Sequence, residues 1–341
     1  MRSYIIRRLL LLIPIMLLVS FMTHATFRII PGSAAHLICG FSCNEELVSD
    51  IEAEYGLDES FFRQYGEWLG VWPDDDAGDS KVLGFGPRGK FSGVLQGDFG
   101  ESFLNSGQSV TQRLSQTMPV TLELMILSLF LAVVLGIPPG VLSAIRPGTV
   151  ADLVARMTSV AWLSVPNFYL AILVIAFGSN WFGWLPPNFA TGNAVKIWED
   201  PLQNLETFFF PSLVLSLGIA AVIMRLTRSS MLEVMRNDYV RTAWSKGLKE
   251  RTVVWRHALK NAMIPVLTII GLQVGALIGG AVLIESVFAL NGMGRYLLES
   301  VIGRDLLVVQ SLVLIFAIVF VVINLVVDVA YAWLDPRIRY G

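Results

Sequence analysis

The segment Gly84-Phe-Gly-Pro-Arg-Gly89-Lys90-Phe91 carries the glycine and lysine spacing of a loop that cradles nucleotide phosphates. That chemistry needs Ser or Thr after the lysine to hold magnesium, and it needs a preceding strand; this chain offers Phe91 and no strand signal. The segment reads as a glycine-rich loop. Cys39 and Cys43 are the only cysteines, and their spacing suits a disulfide closing a small loop in an oxidising compartment. Two free thiols, or a metal pair with His36 as at most a third ligand, are the other readings. The three histidines, His24, His36 and His257, form no HExxH pattern, and no GxSxG occurs, so neither a catalytic constellation nor a metal site is expected. Ionisable groups within the apolar stretches are few: Glu123, Glu285 and Asp328, joined by the amides of Asn167, Gln273 and Asn324. Buried at membrane depth such groups are expensive; they line a path or bond one helix to another. Passage of a solute fits these residues better than bond-making does. An intramembrane enzyme or an ion-coupled carrier would need paired ionisable groups or inverted repeats with broken helices, and neither is visible.

The elements that must hold these residues are membrane helices. Of the 341 residues, 54% are hydrophobic and 15% charged, too apolar for an ordinary soluble domain. The apolar residues fall in blocks of about 20, the length that crosses a hydrocarbon layer. Six are expected: 9–30, 119–142, 157–177, 208–226, 264–288 and 308–334, with Arg225 truncating the fourth. The basic start and apolar run at 1–30 resemble a signal peptide, but the run is long and lacks a small-x-small site, so a retained span is expected. With the N-terminus inside, sixteen Lys and Arg fall on the inner side and eight on the outer, which predicts both termini in the cytoplasm. An outer segment at 31–115 should hold helices at 44–54 and 60–69, the second capped by Asp58, then a Gly/Asp-rich loop. A core at 116–332 and a short tail at 333–341 complete the expected organisation. In the fifth span Gly271, Gly275 and Gly279 recur every fourth residue and permit close helix approach, within the chain or at a subunit interface.

Between the fourth and fifth spans lies the basic amphipathic segment 239–265, YVRTAWSKGLKERTVVWRHALKNAMIP. Gly247 separates two short helical stretches, giving helix, turn, helix: a rigid knob for a cleft on a soluble partner. This segment resembles the cytoplasmic EAA loop of the permeases of ABC importers, in the form found in the oligopeptide/dipeptide/nickel group. Tyr239, Arg241, Thr242, Ala243, Lys246, Gly247, Leu248, His257, Ala258, Leu259, Asn261, Ala262 and Pro265 carry the likeness. Arg241-Thr242-Ala243 stands where the general pattern has Glu-Ala-Ala, so the glutamate's role does not transfer. Arg28-Ile-Ile-Pro-Gly32, Gly97-Asp-Phe-Gly-Glu-Ser102, Glu285-Ser-Val-Phe288 with Gly292-Met-Gly294, Arg304-Asp305 with Gln310, and the tail Asp335–Tyr340 resemble further landmarks of the group; 70–93 fits least and reads as an insertion.

The resemblance implies an all-α membrane fold of six transmembrane helices with the type I importer arrangement, and a coupling loop at 236–263. It implies one of two different permease subunits, two ATP-binding subunits, an extracytoplasmic solute-binding protein and the lipid bilayer as partners, with no cofactor, no metal and no nucleic acid. The chain would then be no enzyme itself. Arg241, Thr242, Ala243, Lys246, Gly247, Leu248, His257, Leu259 and Asn261 would couple to the ATPase. Gln273, Glu285 and Asn167 are the pathway candidates: Gln273 is expected opposite the glycines and facing a cavity, Glu285 at an outer gate with a polar partner. The solute would be a di- or oligopeptide, or else a nickel chelate, an opine or an oligosaccharide.

Overall fold

A computed structural model describes residues 2–29, 35, 44–54, 57–72, 93–102, 108–191 and 196–334. Helices dominate them: α1 Arg2–Ile29, α2 Glu45–Glu54, α3 Phe61–Leu69, α4 Val110–Ile145, α5 Val150–Ser164, α6 Asn167–Phe182, α7 Pro201–Val234, α8 Asp238–Ser245, α9 Glu250–Val287, α10 Met293–Ile302 and α11 Leu306–Leu334. Among the described residues the only β pairing is an isolated bridge between Glu101 and Ser109. Among the described residues four helices are long and apolar enough to cross a membrane: α4, α7, α9 and α11 over Leu306–Val327. The pair α5 and α6 counts as a fifth if read as one broken span, and α1 adds a shorter apolar stretch, Leu10–Thr26. The chain is a multi-pass membrane protein.

Three expectations need correction. The third span is not one straight helix over 157–177. It breaks at Val165 and Pro166 with a bend of 97° between α5 and α6. Proline clashes with a helical conformation in the residue before it, and Val165 is accordingly extended at φ −105, ψ 124. The fourth span is far longer than 208–226, because Asp200 caps α7 early: its carboxylate accepts the N–H groups of Leu202 (3.0 Å) and Gln203 (3.1 Å), with Pro201 at the first helical position. Nor does Arg225 end the helix; it lies exposed on the surface of α7 while the helix runs on to Val234. Lastly, Ser60 and not Asp58 stands at the cap position of α3, and its side chain makes no capping bond. Asn44 does cap α2, accepting from Leu47 N at 2.9 Å. Cys39, Cys43 and the 84–91 loop lie outside the described residues.

Contacts divide the chain into two compact units. The first comprises Met1–Arg8, Val120–Gly294 and Phe320–Gly341. Its centre is α7, which buries Phe208, Leu215, Ile219, Ile223, Met224 and Met231. There α4 lies so close that a Cβ on Gly136 would sit 2.7 Å from Ile223 Cγ2, and one on Gly140 2.7 Å from the Met224 carbonyl oxygen. Only glycine fits at either place. The second unit comprises Leu9–Pro119 and Arg295–Val319. Val48, Ile51, Trp68, Leu69, Leu307 and Leu314 form its core. Two of the sequence landmarks meet in it: Ser102 donates to Asp305 Oδ2 at 2.6 Å. Burial, with the Asp305 carboxylate nearby, pushes the Tyr296 phenol up, so this buried ring remains neutral while Arg113 sits 5.7 Å over it.

Candidate functional site

The knob at 236–263 is built by two local signals. Asn237 is extended at φ −72, ψ 145, and Asp238 places a carboxylate in the first turn of α8, where the helix dipole favours it. At the far end Gly247 takes φ +72, the left-handed region. Its N–H reaches the Trp244 carbonyl at 2.9 Å, and the N–H of Leu248 reaches that of Ala243 at 3.4 Å. Those two bonds are the Schellman closure of a helix, which glycine favours because it has no Cβ. Nothing lies within 4 Å of a Cβ placed on Gly247. Its constraint is therefore conformational and not one of space.

After Lys249 the chain enters α9, and here the second helix of the knob and the fifth span are one continuous helix, Glu250–Val287. A π-helical stretch at Val253–Ala258 interrupts its regular winding. On the inner side, Val240 and Ala243 pack against Val253, with Val234 and Met235 alongside. Val254, Ala258 and Ala262 rest on Val141, Ala144 and Met231 of α4 and α7. Asn261 Nδ2 donates to the Tyr239 hydroxyl at 2.8 Å and so ties α8 to α9 across the turn.

The expected coupling residues separate by side. Arg241, Thr242, Lys246, Gly247, Leu248 and Asn261 are exposed, along with the aromatic rings of Tyr239, Trp244 and Trp255. Ala243 is buried, and His257 and Leu259 are half-buried, so these three shape the knob from within. The Thr242 hydroxyl donates to the Asp238 carbonyl at 2.9 Å, and that of Ser245 to the Arg241 carbonyl at 3.0 Å. The outer face thus offers rings, an aliphatic group and cations on α8 and the first turns of α9. It can bind; it has no nucleophile paired with a base.

The pathway candidates differ in their settings. Asn167 opens α6 at the bend, half-buried, its Oδ1 3.6 Å from where a Cβ on Gly218 of α7 would lie. Gln273 is half-buried midway along α9. Glu285 is fully buried, accepting from the Thr121 hydroxyl at 2.7 Å, while the same hydroxyl oxygen accepts from Met293 N at 2.8 Å. A Cβ on Gly294 would lie 2.9 Å from Glu285 Oε2, and one on Gly292 would collide with the carboxylate. The landmark glycines at 292 and 294 thus make room for the landmark glutamate.

The glycine stripe of α9 serves more than one neighbour. Gly271 faces Asn324 and Val327, Gly275 faces Phe320, Gly280 faces Leu215, and nothing lies within 4 Å of a Cβ on Gly279. Sequence reasoning missed Thr121 as the partner of Glu285 and the contact at Gly136 and Gly140. The four-residue spacing of those two glycines was the available signal for the second.

Comparison with known proteins adds the lineage. Residues 136–340 match the family described as binding-protein-dependent transport system inner membrane component, and residues 1–125 match the corresponding N-terminal family. The dipeptide transport system permease protein DppB of Alkalihalophilus pseudofirmus is 34% identical, with all of both chains covered. The glutathione transport system permease protein GsiC of Escherichia coli strain K12 is 36% identical, again over the full length of both.

Proposed function

This chain belongs to the family of binding-protein-dependent transport system inner membrane components, and from that premise we propose that it forms half of the translocation pathway of an ATP-driven importer for short peptides. The family is a transport subunit and not an enzyme. The full-length likeness to permeases named for dipeptide and for glutathione transport supports the peptide class. Within this reading α1 is a sixth span beside the five counted above, residues 31–115 form an extracytoplasmic segment, the core runs over 116–332, and both termini are cytoplasmic. Its partners are a second permease, two ATP-binding subunits and an extracytoplasmic solute-binding protein.

The observation that carries the reading is the continuity of α9. A force on the knob acts on the same helix that crosses the membrane, with no loop between to absorb it. ATP-driven closure of the ATPases moves the knob, the spans swing between inward- and outward-facing arrangements, and the delivered solute passes. Arg241, Thr242, Lys246, Gly247, Leu248 and Asn261 meet the ATPase; Ala243, His257 and Leu259 hold the knob's shape. Gln273 and Asn167 border the pathway, and Glu285 with Thr121 secures the outer end of α9. The test is the complex carrying Gly247→Leu. Loss of ATPase co-elution and of uptake is expected; wild-type values for both would remove the docking claim.

A further inference from the structure

Beneath the knob, a single carboxylate joins three helices. Asp152, in the first turn of α5, is 1% exposed. Arg228 of α7 grips both its oxygens, Nε to Oδ1 at 2.7 Å and Nη2 to Oδ2 at 3.1 Å. The same Nε lies 2.9 Å from Ser143 Oγ of α4, and the Ser143 hydroxyl donates to Asp152 Oδ1. The N–H of Gly148, in the turn between α4 and α5, donates to Oδ2 at 3.0 Å. Arg156, more than half exposed, stands 3.5 Å from Oδ1.

The location of this cluster gives it significance. Ser143 lies between Val141 and Ala144, and Arg228 lies one turn before Met231. Those three apolar residues are the ones on which Val254, Ala258 and Ala262 of α9 rest. Two of the three helices tied by Asp152, α4 and α7, therefore form the seat of the knob's second helix. A buried ion pair is weak evidence for stability, since apolar replacements often do as well; fixing a register is its best-attested use. The forked guanidinium, engaging two oxygens in one plane, sets orientation as well as distance.

We infer that Asp152, Arg228 and Ser143 are positioning residues of the transport cycle, which make the inner ends of α4, α5 and α7 move as one body when the knob is displaced. The inference rests on the permease reading above. Without the clamp the knob still binds and the ATPases still turn over, but the displacement is lost between the three helices before it reaches the bend into α6.

The experiment uses the full complex, with its ATPases and binding protein, in proteoliposomes. Uptake of a mixture of radiolabelled dipeptides and ATP hydrolysis are measured per assembled complex. Arg228→Lys keeps the charge but loses the fork. Uptake per ATP should fall about tenfold, with hydrolysis held within about twofold, in the range of site-to-site coupling energies. Ser143→Ala, which removes one bond, should lower uptake per ATP about two- to threefold. A merely structural role lowers assembly, or lowers uptake and hydrolysis in step; either that proportional fall or an unchanged ratio overturns the inference. If Arg228→Lys does not assemble, Ser143→Ala decides alone, and an unchanged ratio there is contrary. A wild-type complex whose hydrolysis ignores the loaded binding protein would instead overturn the permease reading beneath.

Discussion

The contact between α4 and α7 and the turn of the knob both require glycine, for opposite physical reasons. At Gly136 and Gly140 the backbone is ordinary helix and the neighbouring atoms leave no room for a Cβ. At Gly247 there is open space on every side, and the backbone itself, at φ +72, excludes most side chains. The first glycines hold the unit together where water and lipid give no directional help. The third shapes an exposed surface, the one proposed above to meet the ATPase. One region should therefore lose stability when altered, and the other should lose binding while the protein stays folded.

The largest effect is expected at the tight contact. Gly140→Ala places a methyl 2.7 Å from the Met224 carbonyl oxygen and 2.8 Å from Thr227 Cβ. Separating α4 from α7 to relieve this should cost about 1–3 kcal/mol, read as a lower Tm of the detergent-solubilised chain. An unchanged Tm would dissolve the contrast. Next comes Gly247→Asn against Gly247→Leu. Leucine in the left-handed region costs about 1–2 kcal/mol, whereas asparagine visits it readily. Gly247→Asn should therefore restore most ATPase co-elution; equal loss in both variants would point to volume and not to conformation.

A smaller effect is expected from Asn261→Ala and Tyr239→Phe, which remove the exposed bond between α8 and α9. Each should cost about 0.5–1.5 kcal/mol or less, and the double variant should cost little more than either single one. Full additivity would mean that the bond contributes nothing. Smallest is Gly279→Ala. With no atom within 4 Å to meet the methyl, the isolated chain should gain up to about 1 kcal/mol from helix propensity. Weaker pairing with the second permease in the same variant would identify this part of α9 as the subunit face.

These cases show what could be read from the sequence. The knob was legible because its signals are local: Gly247 ending one amphipathic stretch, basic residues flanking apolar runs, and a sequence pattern with known relatives. Four of the apolar blocks were legible as spans for the same reason, as length and composition suffice. The 97° bend was a local signal left unread, since Pro166 restricts Val165 whatever surrounds it. The length of α7 was hidden because its cap, Asp200, looks like any loop aspartate. Arg225 and Arg228 looked alike as inner charges, although Arg225 is exposed and Arg228 is neutralised by Asp152. That pairing spans 76 positions, and no periodicity announces it. The glycine stripe of α9 shows the general limit: spacing says that close approach is permitted, not which neighbour takes it.

The central claim is that the knob meets an ATPase on the cytoplasmic side. A photo-crosslinking amino acid placed singly at Trp244, at Leu248 and at Leu202 tests it directly. All three positions are exposed, and Leu202 lies at the opposite end of α7 from the knob. Irradiation of the assembled complex should join positions 244 and 248 to the ATP-binding subunit and leave 202 unlinked to it. Absence of the adduct at both knob positions, or an equal yield from 202, would contradict the account.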